Sequence, residues 1–378
     1  MKIVHIITGL GDGGAEGVLF RLCKYDLKKE HIVISLKNEG KYGLLLKEKG
    51  INVICLDMNF GKVRVKDFLK LFRLLKKLKP DTIQTWMYHA DFFGGIVSRF
   101  AGFKNIFWNI RHTTLEPEES KKSTRLVVKL CARLSRVIPK GIICCGEEVL
   151  RVHSELGYNK SKMKIICNGY DISLFKPSIK LRLFFRKEFD LNSKTLVLGM
   201  VGRFHPQKNH LGLLKALSIV KKCFKDFKFL LVGRDLNHNN LILVNEIKNQ
   251  NLESNIVLIN KRSDIPAVMN AIDINVLSSS SGEGFPNVLA EAMACGIPCV
   301  TTNIGDASLI VGHTGWVSPP NDSIALANSI IKAIKEKNRD KKLWSLRKQK
   351  CRNRIIENFS LDKMIKNYHS VWGEKFFK

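Results

Sequence analysis

The amino-acid sequence predicts an α/β protein of two Rossmann-like, doubly wound domains in series. Short β-branched runs alternate with helix-length amphipathic stretches, the pattern of βαβ units on a parallel sheet, and midway the alternation restarts. The 378 residues are enough for two domains that each bury a core. In the first half the runs are IVHII (3–7), HIVISL (31–36), INVICL (51–56), TIQTW (82–86), NIFWNI (105–110) and GIICC (141–145). In the second they are LVLGMVG (196–202), FKFLLVG (227–233), NIVLI (255–259), DINVLSS (273–279) and PCVTT (298–302). The expected domains are 1–177 and 178–360, with a terminal helix in 361–378 returning to the first. A hinge is expected in Leu174–Leu191, where Pro177 and a charged stretch follow the Asn168–Gly169 turn.

Composition narrows the function classes. Hydrophobic residues make up 45% of the chain, an ordinary globular value. No apolar run approaches the ~18 residues that cross a bilayer, and MKIVHIITGL reads as a first strand rather than a signal peptide. The ten cysteines contain no CxxC pair, so reduced, mostly buried thiols in a cytosolic protein are expected, and no structural zinc.

The formal net charge of +29 requires an anionic partner. Lys62 to Lys79 holds eight basic residues and one acid, Lys121 to Lys140 seven and none, and Lys332 to Arg354 eleven and two. Lys66, Lys70, Arg73 and Lys77 share one helical face, with Phe68, Leu71, Phe72, Leu75 and Leu78 interleaved. Lys122, Arg125, Lys129, Arg133, Arg136 and Lys140 share another, with Leu126, Val127, Leu130, Leu134 and Val137 on other faces. These are solvated surface helices or a patch for anionic lipid.

Three segments carry chemistry. The first strand ends in Gly9, Gly11, Gly13 and Gly14 before a helix, a spacing that lets backbone approach a phosphate. Glu39 lies where a nicotinamide enzyme places its ribose ligand, so this loop alone leaves a dehydrogenase open. In the second half, a strand runs into Arg203, Lys208 and Asn209 ahead of a helix; a guanidinium and an ammonium there suit a diphosphate. Further on, Glu283 and Glu291 bracket Gly284-Phe285-Pro286-Asn287, with a helix starting near Pro286. A helix start can hold an anion, and a carboxylate reaching from it suits a ribose diol.

The run EGFPNVLAEAMACGIPCVTT, with VGRFHPQKN upstream and the Asn168-Gly169-Tyr170-Asp171 turn before it, resembles the retaining glycosyltransferases of family 4 over nearly the whole chain. The resemblance implies the GT-B fold, two Rossmann-like domains facing across a cleft. It implies Arg203 and Lys208 on the donor diphosphate and Glu291 on the ribose. Glu283, with the backbone from Gly284 through Phe285 and Pro286 to Asn287, would hold the transferred sugar. Gly13 and Gly14 would face the diphosphate from the other domain. Asn109-Ile110-Arg111-His112-Thr113-Thr114 is similar to the family's strand-end segment beside the reacting sugar, which makes His112 catalytic along with Arg203, Lys208 and Glu283. His89 and Arg111 fall on the acceptor side. The family's glycine-rich strand end is here LINKRSDIP, which leaves Arg262, next to Lys261, as the base-side donor contact. Gly305-Asp306-Ala307-Ser308 lacks the Glu that many members place there.

No D-x-D occurs, so the expected reaction needs no metal or other cofactor: cations and helix termini stabilise the departing nucleotide, and the acceptor attacks from the same face. The segment around WNIRHTT is especially similar to the bacterial subgroup that builds O-antigen and capsule repeats on polyprenyl-diphosphate lipid. The expected partners are a UDP-sugar, a lipid-linked saccharide and an anionic membrane surface, at the cytoplasmic face of the inner membrane, with no nucleic acid. A UDP-sugar epimerase of the same architecture and a basic nucleic-acid binder are the alternatives. The second lacks any recognition motif.

Overall fold

The computed structural model describes residues 1–59, 64–113 and 121–373; Lys62 and Thr114 lie outside them. The chain forms two compact units, Met1–Gly169 with Leu361–Lys378, and Tyr170–Ser360. The division precedes the expected 177/178 boundary because Tyr170 belongs to the second unit: its hydroxyl donates to Asn287 Oδ1 at 2.6 Å and its N–H to the Phe359 carbonyl at 2.9 Å. The segment read as a hinge instead contains helix Ile179–Glu188, whose Ser178 N–H donates to Asn270 Oδ1 at 2.7 Å in the same unit.

The first unit has seven parallel strands: β1 (Lys2–Ile7), β2 (Glu30–Ser35), β3 (Asn52–Cys55), β4 (Thr82–Trp86), β5 (Ile106–Ile110), β6 (Gly141–Cys144) and β7 (Met163–Ile165), in the order β3-β2-β1-β4-β5-β6-β7. The second has six: β8 (Leu196–Val201), β9 (Phe227–Val232), β10 (Ile256–Ile259), β11 (Ile274–Leu277), β12 (Cys299–Thr302) and β13 (Trp316–Ser318), in the order β10-β9-β8-β11-β12-β13. Helices cover both faces of each sheet, which is why the central strands are apolar runs rather than alternating ones. The three-residue edge strands β7 and β13 lack such a run and escape sequence reading. In each sheet the order reverses beside the first strand, at β1/β4 and β8/β11, so the loops leaving those strands diverge and open a crevice at the carboxyl edge.

Helix Leu361–Trp372 returns to the first unit, where Leu361, Met364, Tyr368, Val371 and Trp372 join a core with Ile3, Leu22, Trp86 and Phe107. Its polar groups are matched too. Tyr368 Oη accepts from Asn109 Nδ2 at 2.7 Å and an Arg111 nitrogen at 2.6 Å, and Trp372 Nε1 donates to Gln84 Oε1 at 3.1 Å. His369 Nε2 meets Asp26 Oδ2 at 2.5 Å.

In the third basic cluster three arginines are drawn into the fold. On helix Lys341–Phe359, Arg347 pairs with Glu336 and donates to the Thr314 carbonyl, Arg352 donates to the Ile172, Phe175 and Ala294 carbonyls, and Arg354 to Leu309 and Ile310. Lys341, Lys342 and Lys350 stay exposed. The planar guanidinium satisfies several carbonyls at once, which a lysine does not. On helix Lys122–Leu134 and just beyond, Leu126 and Val137 are exposed, so that surface is less purely cationic than the periodicity suggests.

Asp26 links the terminal helix to the acid stability of the first unit. Burial disfavours its charge, but hydrogen bonds from His31 and His369 outweigh that and hold the carboxyl at about 2. A carboxylate depressed on folding contributes stability above its unfolded value, near 4, and loses it as pH falls toward the folded value; here the term is ~2 kcal/mol. In urea unfolding at pH 6 and pH 2.5, wild type should lose more stability than Asp26→Asn, by up to about that amount. Equal losses would show that the contact contributes nothing.

Candidate active site

The crevice of the second sheet collects most of the expected site. β8 leads through Gly202 and Arg203 to a 3₁₀ turn, Pro206–Lys208, in which His205 Nδ1 accepts the Gln207 N–H at 3.3 Å. Asn209 then takes a left-handed conformation (φ 50°) and caps helix His210–Cys223, accepting the Gly212 N–H at 3.1 Å. This short polar residue tolerates that backbone and ends one turn as it starts the helix.

The loops after β8, β11 and β12 are bonded to one another. Ser280 N–H donates to the Gln207 carbonyl at 2.8 Å, Ser278 Oγ to Lys208 O at 2.8 Å and Thr302 Oγ1 to Ser279 O at 2.6 Å. Lys208 Nζ forms an ion pair with Glu283, and Ser279 Oγ donates to the same carboxylate oxygen at 2.7 Å. Arg203 is exposed and makes no hydrogen bond or ion pair among the described residues. His210 is buried against Phe204 at 5.3 Å; burial first, and then the Lys208 charge, lower it to about 4, so it stays neutral. The positive charge at this helix start therefore comes from Lys208 and Arg203.

Two glycines permit the close packing. Gly233, after β9, lies against the Gly202 carbonyl, and Gly305, after β12, against the carbonyl of Glu283; a Cβ at either would overlap that oxygen. Gly305 also has φ +56°. The departure at Gly305–Ser308 thus carries a packing role, with Asp306 N–H donating to Gly284 O at 3.0 Å.

Helix Asn287–Ala294 begins after Pro286, with Glu291 partly buried one turn in. The Asn287 side chain accepts from Tyr170, and Phe285 packs edge-on to Phe359 at 5.5 Å. Pro286 has no N–H to donate, and its carbonyl accepts from Leu289 at 3.2 Å. Arg262, expected as the base-side donor contact, binds Glu188 at 2.6 Å and Asp264 at 2.7 Å, and stacks on Phe185 and Phe189.

The remaining expected residues stand at the carboxyl edge of the first sheet. Gly13 precedes helix Gly14–Tyr25, and Glu16 folds its carboxylate back over Gly13. Burial, and then repulsion from Asp12, raise Glu16, while its own backbone N–H opposes them. That anion position already faces a carboxyl group. His89 follows β4; burial and then Lys37 lower its pKa. His112 follows β5, its carbonyl accepting from Tyr88 Oη at 3.1 Å. Arg111, expected on the acceptor side, is tied into its own unit: its guanidinium binds Asn168 and Tyr368 and lies over Trp86 at 4.9 Å.

His5, Cys23 and His31 bring ligand-type atoms within 4.8 Å of one another, but the set does not suit a metal. Trp86 Nε1 donates to His5 Nδ1 at 3.1 Å, which assigns His5 Nε2–H to His31 Nδ1 at 2.8 Å and His31 Nε2–H to Asp26 at 3.2 Å. No imidazole lone pair is left, and burial keeps the Cys23 thiol protonated.

The packing role of Gly305 is separable from backbone strain, because Gly50 has φ +75° with open space around it. Gly50→Ala should lose about 1 kcal/mol in urea unfolding from the left-handed backbone alone. Gly305→Ala should lose at least ~2 kcal/mol, since the Glu283 backbone must also move. Equal losses in the two variants would show that the contact at Gly305 contributes nothing beyond its backbone conformation.

Similarity to known proteins is extensive. The family model described as Glycosyltransferase Family 4 matches residues 12–174, and that described as Glycosyl transferases group 1 matches residues 182–350. The UDP-Gal:alpha-D-GlcNAc-diphosphoundecaprenol alpha-1,3-galactosyltransferase of Escherichia coli is 29% identical over 320 residues, covering 83% of this chain and 80% of its own. A Campylobacter jejuni GalNAc-alpha-(1->4)-GalNAc-alpha-(1->3)-diNAcBac-PP-undecaprenol alpha-1,4-N-acetyl-D-galactosaminyltransferase is 26% identical over 366 residues, covering 93% and 94%. The crystal structure of Anabaena HepE in complex with UDP matches with a TM-score of 0.86 at 23% identity, covering 98% of this chain and 99% of that one.

Proposed function

The chain belongs to glycosyltransferase family 4, with the GT-B fold, and on that premise we propose that it moves a hexose or N-acetylhexosamine from a UDP-sugar, with retention, to a polyprenyl-diphosphate-linked saccharide in O-antigen or capsule assembly. The observation that carries this is the Lys208–Glu283 pair at a helix start, with Arg203 exposed on the same loop. An incoming diphosphate competes for Lys208 and gains Arg203. Glu283, still held by Ser279, then turns its carboxylate to the sugar hydroxyls, and Glu291 takes the ribose. The donor stabilises its own site by replacing an internal ion pair with a charge-assisted one.

The donor and lipid classes are supported by the names of the Escherichia coli and Campylobacter relatives and by UDP in the Anabaena structure. In the proposed mechanism Arg203 and Lys208 stabilise the leaving diphosphate, His112 positions the sugar or acceptor, and no metal or other cofactor is used. The protein works at the cytoplasmic face of the inner membrane, held to an anionic surface; among the described residues no helix is long and apolar enough to cross it.

The test is UDP release by the purified protein with single UDP-sugars, EDTA and a lipid extract. Release should require one donor and the extract together, and Arg203→Ala should lower kcat/KM by about 100-fold, as loss of a charge-stabilising donor does. Isomerised sugar without extract would instead mean an epimerase. Full activity in Arg203→Ala would refute the site.

A further inference from the structure

Helix Val65–Leu78 turns Asp67, Leu71 and Leu75 inward, so the opposite face is its outer one. There Val65 and Leu69, one helical step apart, are 77% and 41% exposed. Next to them Phe72 stacks on Phe68 at 6.4 Å, and Phe68 meets Phe100 edge-on at 5.9 Å. Phe100 closes helix Gly95–Phe100 and is 74% exposed. Lys66, Arg73 and Lys77 lie exposed on the adjoining line of the first helix.

Stability does not explain an aromatic ring left in water at the end of a short helix, packed on a helix that itself exposes two aliphatic side chains. The neighbouring cations select the occupant. A dissolved polyanion would use the cations and leave the apolar edge in water, whereas an anionic bilayer uses both, headgroups for the charges and the interfacial layer for the rings. We propose that Phe100, Leu69 and Val65 insert into the interfacial layer of an anionic bilayer while Lys66, Arg73 and Lys77 rest on its headgroups. This deepens the membrane attachment proposed above and rests on it, by naming the edge that enters lipid.

Co-sedimentation with vesicles of equal parts phosphatidylglycerol and phosphatidylcholine tests the proposal without donor or acceptor, so it can fail while the transfer reading stands. Phe100→Ser should partition about tenfold less than wild type, in low and high salt alike, because an apolar side chain is lost from the interface. Phe100→Trp should keep wild-type partition. Lys66→Gln and Arg73→Gln should each lose about fivefold at low salt only. Heparin binding should fall in the charge variants and be unchanged in Phe100→Ser, and circular dichroism should confirm that each variant folds. The proposal is overturned if Phe100→Ser partitions as wild type does, if pure phosphatidylcholine binds equally well, or if heparin binding also needs Phe100.

Discussion

The second unit depends on one steric constraint: at the carboxyl edge of its sheet, backbone must pack directly on backbone. Gly233 against Gly202 and Gly305 against Glu283 leave no room for a Cβ. These contacts lay the loop after β9 on that after β8, and the loop after β12 on that after β11. Hydrogen bonds from Ser278 and Ser280 to the carbonyls of Lys208 and Gln207 then join the β8 and β11 loops and set Lys208 beside Glu283. The chemistry follows from the crowding. A looser edge would let the lysine and the carboxylate reach water separately, and the helix start would lose its concentrated positive charge.

The first unit is organised by a different device, a helix borrowed from the end of the chain. Its apolar face completes the core around Trp86. Its polar atoms tie to strand-end residues, Asn109 and Arg111 through Tyr368, and to Asp26 through His369. Arg111 and His112 are consecutive, so the helix that clamps the one bears on the backbone of the other. A relay of His5, His31 and Asp26 continues the same network inside the domain, with every ring nitrogen of the two buried histidines used.

All the described strands but β7 and β13 were legible because each is a short β-branched or apolar run between breakers, and the Glu283–Glu291 segment because its glycine, proline and carboxylate spacing is dense within one stretch. What sequence reading missed is non-local. Arg262 reads as a free cation until Glu188, 74 positions away, is folded against it, and Arg111 until Tyr368, 257 positions away, reaches it. Asn287 looks like a ligand until Tyr170 claims its side chain. The segment expected to hold the hinge carries more local structure than its composition signals: Pro177 and nearby charges mark a break in the chain, but Ser178 begins a helix and its N–H donates to Asn270. Charge runs misled in one direction only. In the last of them Arg347, Arg352 and Arg354 bind carbonyls while Lys341, Lys342 and Lys350 stay outside, which net charge does not record.

The central claim is that the loop from Arg203 to Lys208 exists to hold a diphosphate. Calorimetric titration of uridine, UMP and UDP into wild type and into the Arg203→Ala/Lys208→Ala double variant tests it most directly. The account predicts that wild-type affinity rises with each phosphate, by about tenfold or more at the second, and that in the double variant UDP binds no better than uridine. Equal affinity for uridine and UDP in wild type, or an unchanged phosphate gain in the double variant, would contradict it.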